Sequence, residues 1–174
     1  PCGNNVTGGN DPVSYPGSLD FYKEVATFWI RELGIDGWRL DQAYQVPLDA
    51  WIEIRQAVES ISKYNKQQGK QWGTLGYMVG EIWDGEGVIQ SKGYGSASNP
   101  SLYSAFDFPI RYGLVQVLAG QEHIGDAGAS GRPASWLNEK FVSIGGTYAS
   151  HAIPNLMLSN HDLVRFGDLI ERAG

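Results

Sequence analysis

Long apolar runs, a basic stretch and a second cysteine are all missing from this 174-residue chain. No segment approaches the roughly 18 to 20 apolar residues of a membrane-spanning helix, so a bilayer is not an expected partner. Thirteen Lys and Arg stand against 19 Asp and Glu, for a net charge of −6. Without a cationic cluster to neutralise phosphates, nucleic acid is not an expected partner either. The single Cys2 cannot close an internal disulfide, so cysteine usage leaves the redox compartment open. An initiating methionine and a charged-then-apolar leader are also missing. The opening Pro1-Cys2-Gly3-Asn4-Asn5 has loop composition, as expected of a chain that begins partway through a larger protein.

What is present is globular. Hydrophobic residues make up 42% and aromatics 12%, including six tryptophans, which at this length suffices for one domain with a sizeable core. Flat aromatic side chains also stack on sugar rings, although most tryptophans in folded proteins are buried or interfacial.

Residues 1–17 are rich in Gly, Asn and Pro and read as an irregular loop. Ser18 is placed as the N-cap of a helix running to about Leu33, with Phe21, Val25, Phe28, Trp29 and Leu33 near helical spacing and Gly34 as its stop. Ile35 to Leu40 is too short for a helix and reads as a strand. Alternation then sets Gly37, Arg39 and Asp41 on one face, with Trp38 and Leu40 on the other. Pro47 suits the first turn of a second helix, to about Gln68. Leu75 to Trp83 reads as the second strand, followed by a glycine-rich loop over Asp84 to Pro100. A third strand is expected over Leu102 to Phe108 and a helix from Pro109 to about Leu118. A long surface loop over 119–134 precedes a short helix over Trp136 to Ile144. A fourth strand is expected over Ile153 to Ser159, and a last helix over Leu163 to Arg172. Strand alternating with helix implies parallel strands joined by helical crossovers. Half of a (β/α)8 barrel and an open doubly wound sheet both satisfy that pattern, and no internal repeat is visible.

Three acidic signatures occur in order: Gly37-Trp38-Arg39-Leu40-Asp41, Gly80-Glu81-Ile82-Trp83 and Asn160-His161-Asp162. Each lies at the C-terminal end of an expected strand, the rim where an α/β barrel gathers its catalytic groups. Two carboxyls and a third acid on one rim are the equipment for cleaving a glycosidic bond. Arg39, on the same face as Asp41, would favour the ionised carboxylate a nucleophile needs; the pair also fits a structural cap. Ile82 and Trp83 beside Glu81 supply the apolar setting that keeps a carboxyl protonated as a general acid, although a solvated rim glutamate fits as well. Asn160-His161-Asp162 fits either an Asx-capped turn or an acid and an imidazole over a bound sugar.

Taken together, Gly34-Ile35-Asp36-Gly37-Trp38-Arg39-Leu40-Asp41, Gly80-Glu81-Ile82-Trp83 and Leu158-Ser159-Asn160-His161-Asp162 resemble the α-amylase family of glycoside hydrolases (family 13). Ala105-Phe106-Asp107-Phe108-Pro109 is similar to a strand found between the last two signatures in many members, and the resemblance spans residues 17–174. It implies a parallel (β/α)8 TIM barrel of which this chain supplies about half, strands four to seven. Residues 1–174 would form one partial catalytic domain and residues 1–17 the loop leading into it. Asp41 matches the nucleophile, Arg39 the arginine that orients it, Glu81 the general acid/base and Asp162 the transition-state stabiliser. His161 matches a hydroxyl-binding histidine and Arg165 an arginine that often follows it; Tyr44 and Trp83 complete the substrate-binding candidates. The implied reaction is retaining hydrolysis of α-1,4-linked glucans or maltooligosaccharides, with a secreted or periplasmic location favoured.

Two departures bear on that implication. Many starch-cleaving members carry Lys-His shortly after the nucleophile, where this chain has Tyr44 and Gln45. That change also removes a position that often serves the family's calcium site, so calcium is possible by resemblance but no metal ligand is assigned. The family's earlier signature, last barrel strand and C-terminal β-domain have no counterpart, so the remainder of a barrel or self-association is expected to cover the exposed edges. The alternative readings are an α-glucosidase or transglycosylase of the same family, or a non-catalytic or inactive barrel fragment.

Overall fold

The described residues of the computed structural model, 6–7, 14–15, 17–119 and 131–173, fall into two units. One comprises Pro1–Leu40 with Gln45–Val79, the other Asp41–Tyr44 with Gly80–Gly174.

In the first unit, β1 (Val6–Thr7) pairs antiparallel with β2 (Ser14–Tyr15), inside the stretch read from sequence as irregular; residues 1–5, 8–13 and 16 lie outside the described residues. Helix α1 (Ser18–Leu33) follows. Its N-cap is Gly17 rather than Ser18, because the extended backbone at Gly17 already presents its carbonyl to the Phe21 N–H, and no side chain caps the end. Gly34 ends α1 in the left-handed conformation at φ 70°, its N–H donating to the Ile30 carbonyl, a geometry that favours glycine. The chain then enters β3 (Gly37–Leu40). From there the Trp38 indole donates to the Ala26 carbonyl of α1 at 3.0 Å, so Trp38 faces the helix layer. Helix α2 (Leu48–Gln67) packs on α1. It buries Trp51, Ile54 and Val58, and its buried Asn65 bridges the Ile30 and Gly73 carbonyls at 3.3 and 3.1 Å. Next comes β4 (Tyr77–Gly80), the sheet neighbour of β3, with Met78 and Val79 buried. The two strands approach so closely that a Cβ on Gly37 would stand 1.9 Å from the Tyr77 carbonyl oxygen.

The second unit begins where β4 ends. The Gly80 carbonyl accepts from Phe106 N at 2.9 Å, and a Cβ at Gly80 would meet Leu102 Cδ1 at 2.7 Å. The expected loop over Asp84 to Pro100 is not structureless. It holds the short helix α3 (Glu86–Ile89), a π-helical turn over Gln90–Tyr94, and a hairpin of β5 (Gly95–Ser96) with β6 (Asn99–Pro100). Ile89 and Tyr94 are fully buried there, so apolar burial overrides the glycine signal. After β7 (Ser104–Ala105), Asp107 caps α4 (Phe108–Leu118), its Oδ1 accepting from Ile110 N at 3.0 Å. Helix α5 (Ala134–Thr147) is longer than expected at both ends and packs on α4 and α3. Most of the surface loop expected at 119–134, residues 120–130, lies outside the described residues.

The fourth expected strand, Ile153 to Ser159, shrinks to one parallel bridge between Phe106 and Asn155. Ile153 and Asn155 donate to the Tyr103 and Ala105 carbonyls at 2.7 and 2.8 Å and the Asn155 carbonyl accepts from Asp107 N at 2.9 Å, where the ladder ends. Pro154 lacks an N–H, and Ile153, Leu156 and Leu158 stay exposed, so too little cross-strand packing holds the rest extended. The last helix, α6 (Phe166–Glu171), starts three residues later than expected and buries Leu169 against Val115 and Ala119 of α4 and its cap.

Candidate active site

A cavity of about 510 Å³ in the second unit is lined by Asp41, Gln42, Tyr44, Glu81, Trp83, His161 and Asp162. Six residues singled out from sequence therefore meet on one hollow. Arg39 and Arg165 are not among its lining residues.

Glu81 is the buried member, 5% exposed, and two consecutive backbone N–H groups fix it. Gln42 N donates to its Oε2 at 3.2 Å and Ala43 N to its carbonyl at 2.8 Å. This needs a sharp turn directly after Asp41, and Gln42 takes it with φ 42°, the single positive-φ residue other than glycine among those described. A 3-10 turn over Ala43–Gln45 follows and carries Tyr44, 42% exposed, to the cavity wall. Sequence reasoning missed Gln42. A glutamine carries no signature of left-handed backbone, and the side chain gives no hint that its N–H is the functional group.

Trp83 stands two residues beyond Glu81 with 44% of its surface exposed. One face of the indole stacks on Phe108, with ring centres 5.1 Å apart and planes 9° from parallel. Its Nε1–H donates to the Tyr112 hydroxyl at 2.8 Å.

His161 and Asp162 reach the cavity from a turn rather than from a strand end. The Asn160 side chain accepts from Asp162 N at 2.9 Å, which is the Asx turn that the tripeptide also allowed. Arg165, exposed at the N-terminus of α6, donates to the Asn160 carbonyl at 2.7 Å and so braces the turn from outside the cavity. Fully buried Arg111 on α4 does the same one step earlier, its Nε donating to the Leu158 carbonyl at 3.2 Å. His161 Nε2 lies 3.1 Å from Asp162 Oδ2, an exposed contact that adds little to stability. Arg39 lies exposed on β3, within the first unit.

At the N-cap of α4 is a second buried carboxyl. Asp107 is fully buried, and burial pushes it up to about 6 despite the opposing hydrogen bond from Ile110 N; nearby Glu86 adds to the rise. Burial of its own ring, and then the neighbouring Asp107, raise the Tyr148 phenol. Among the described residues no three His, Cys, Asp or Glu side chains gather as metal ligands.

No family model matches the chain. It is 30% identical over 143 residues to an intracellular maltogenic amylase of Bacillus subtilis (strain 168), covering 82% of this chain and 20% of that protein. Over 71 residues it is 39% identical to a cyclomaltodextrinase of Geobacillus thermopakistaniensis (strain MAS1), covering 41% of this chain and 10% of that one. Among solved structures, AmyP in complex with maltose superposes with a TM-score of 0.80 at 54% identity, over 96% of this chain and 33% of AmyP. A variant of AmyP in complex with maltotriose gives 0.79 and 53% over the same shares. The chain thus spans about a third of that structural relative, and a fifth or less of these two curated ones.

Proposed function

This chain belongs to the α-amylase family of glycoside hydrolases, and from that membership we propose that it carries the reacting carboxyls of a retaining α-glucan hydrolase. Its neighbours are barrel enzymes of that family, and the chain is α/β with parallel strands. On this reading β3, β4, β7 and the segment at Asn155 are strands four to seven of the barrel. Residues 1–174 form part of one catalytic domain, with residues 1–17 leading into it.

The observation that carries the proposal is the shared cavity of Asp41, Glu81 and Asp162. Its volume suits a few sugar units. The substrate class rests on the maltose and maltotriose bound in the AmyP crystals. Glu81 donates its proton to the glycosidic oxygen as the bond to the anomeric carbon breaks. Asp41, oriented by Arg39, attacks that carbon from the opposite face and forms a covalent glycosyl-enzyme. Water then adds to the same carbon, gives its proton to Glu81 and releases Asp41. Asp162 and His161 grip sugar hydroxyls, Tyr44 and Trp83 form the walls, and Arg165 braces the turn. The backbone N–H groups of Gln42 and Ala43 hold Glu81 in place for the acid/base role.

In the intact protein, Glu81→Gln and Asp41→Asn should each lower hydrolysis of maltoheptaose by about a thousandfold or more, read by product chromatography. An activated fluoroglycoside should leave a glycosyl adduct on Asp41 in the Glu81→Gln variant, seen by peptide mass spectrometry. Wild-type rates in either variant, or an adduct elsewhere, would overturn the assignment. The same chromatogram separates hydrolysis from transglycosylation, because only the latter yields products longer than the substrate.

A further inference from the structure

We infer that Phe108 and Tyr112 are positioning residues that hold Trp83 as a stacking wall blind to sugar hydroxyls; this rests on the proposed glucan site. The two residues stand four apart on α4, so they share one helix face. Phe108 covers one face of the indole, and Tyr112 accepts its only polar hydrogen. The ring is thereby fixed in position and in rotation. With its N–H engaged, the exposed part of the indole has no donor to offer a sugar. It presents an apolar surface that suits the C–H face of a pyranose, and hydroxyl reading falls to the polar side chains across the cavity.

The platform is anchored from below. Phe108 is fully buried at the first position of α4, where the Asp107 cap fixes the turn. The Arg111 guanidinium lies 5.1 Å from the centre of the Tyr112 ring, and that ring packs on the Val115, Ala119 and Leu169 cluster. Neither Phe108 nor Tyr112 lines the cavity, so both act through Trp83.

A double-mutant cycle in the intact protein tests this with maltoheptaose as substrate. Tyr112→Phe keeps the ring and deletes the hydroxyl that accepts from the indole. It should raise KM about three- to tenfold while kcat changes less than twofold and the melting temperature holds, the size expected for one lost hydrogen bond. In a Trp83→Phe background, which has no N–H to orient, Tyr112→Phe should have no further effect on KM. Equal effects of Tyr112→Phe in both backgrounds would overturn the inference, as would an unchanged KM in Tyr112→Phe when Trp83→Ala raises it. An unchanged KM in Trp83→Ala would instead remove Trp83 from the sugar site, and the inference would fall with that part of the proposed function.

Discussion

The two units solve different problems with different materials. The first is regular: two long helices, four short strands, and a buried Asn65 whose amide bridges two backbone carbonyls. The second carries the cavity, and its backbone departs from rule in three places: a left-handed Gln42, a π-helical turn, and a fourth strand reduced to one bridge. It also buries Glu81, Asp107 and Arg111, side chains whose burial costs stability unless they are paired or neutralised. Left-handed Gln42 and buried Glu81 both line the cavity, and strained backbone of this kind clusters at functional sites.

If the first unit is pure scaffold, its most sensitive point should be steric. Gly37 is that point, because an added methyl would fall 1.9 Å from the Tyr77 carbonyl oxygen and 2.7 Å from its carbon. Backbone cannot swing aside as a side chain can, so β3 and β4 would have to separate. Gly37→Ala should cost about 3 kcal/mol or more by urea unfolding, at the upper end of overpacking effects. A loss below about 1 kcal/mol would mean that this strand pair is looser than its geometry implies, and the contrast with the second unit would weaken.

The second unit's counterpart is electrostatic. Asp107 has a folded-state pKa near 6, against 3.8 for the free side chain, with desolvation as the main cause. A carboxyl raised in the folded state binds its proton more tightly there than in the unfolded chain. Its stabilising contribution is therefore complete below pH 4 and lost as pH rises through about 6, a change of about 3 kcal/mol. Asn caps a helix as well as Asp does but does not titrate. The stability difference between Asp107→Asn and wild type should grow in favour of the variant from pH 4 to pH 7. A flat difference, by urea unfolding at several pH values, would show that Asp107 does not change charge in that range.

The same contrast decides what was legible in the sequence. Helices α1, α2 and α4 follow from apolar spacing with Gly34, Pro47 and Pro109 as boundaries, because each signal is local. The acidic signatures were legible as motifs, and the cavity brings Asp41, Glu81 and Asp162 together. What sequence could not supply depended on partners far along the chain. The helix and hairpin within residues 84–100 form around buried Ile89 and Tyr94, against a glycine-rich composition. The strand expected at Ile153 to Ser159 had the right residues but lacked cross-strand packing beyond Asn155. Tyr112 read only as a helix residue, since nothing local says that its hydroxyl meets an indole 29 positions away.

The smallest effect expected is also the most direct test of strain serving the site. Gln42 sits at φ 42°, where a side chain costs about 1 kcal/mol, and what it gains is a backbone N–H directed at Glu81 Oε2. Gln42→Gly relieves that cost but loosens the unfolded chain, so the net gain in stability should be under about 1 kcal/mol. The N–H is kept, so kcat on maltoheptaose should stay within about twofold of wild type. Gln42→Val places a β-branched side chain in the same conformation and should lower both melting temperature and kcat, because the turn must open and release the carboxyl. If Val and Gly behave alike in kcat, the left-handed turn does not position Glu81, and the irregular backbone of the second unit has to be explained by packing alone.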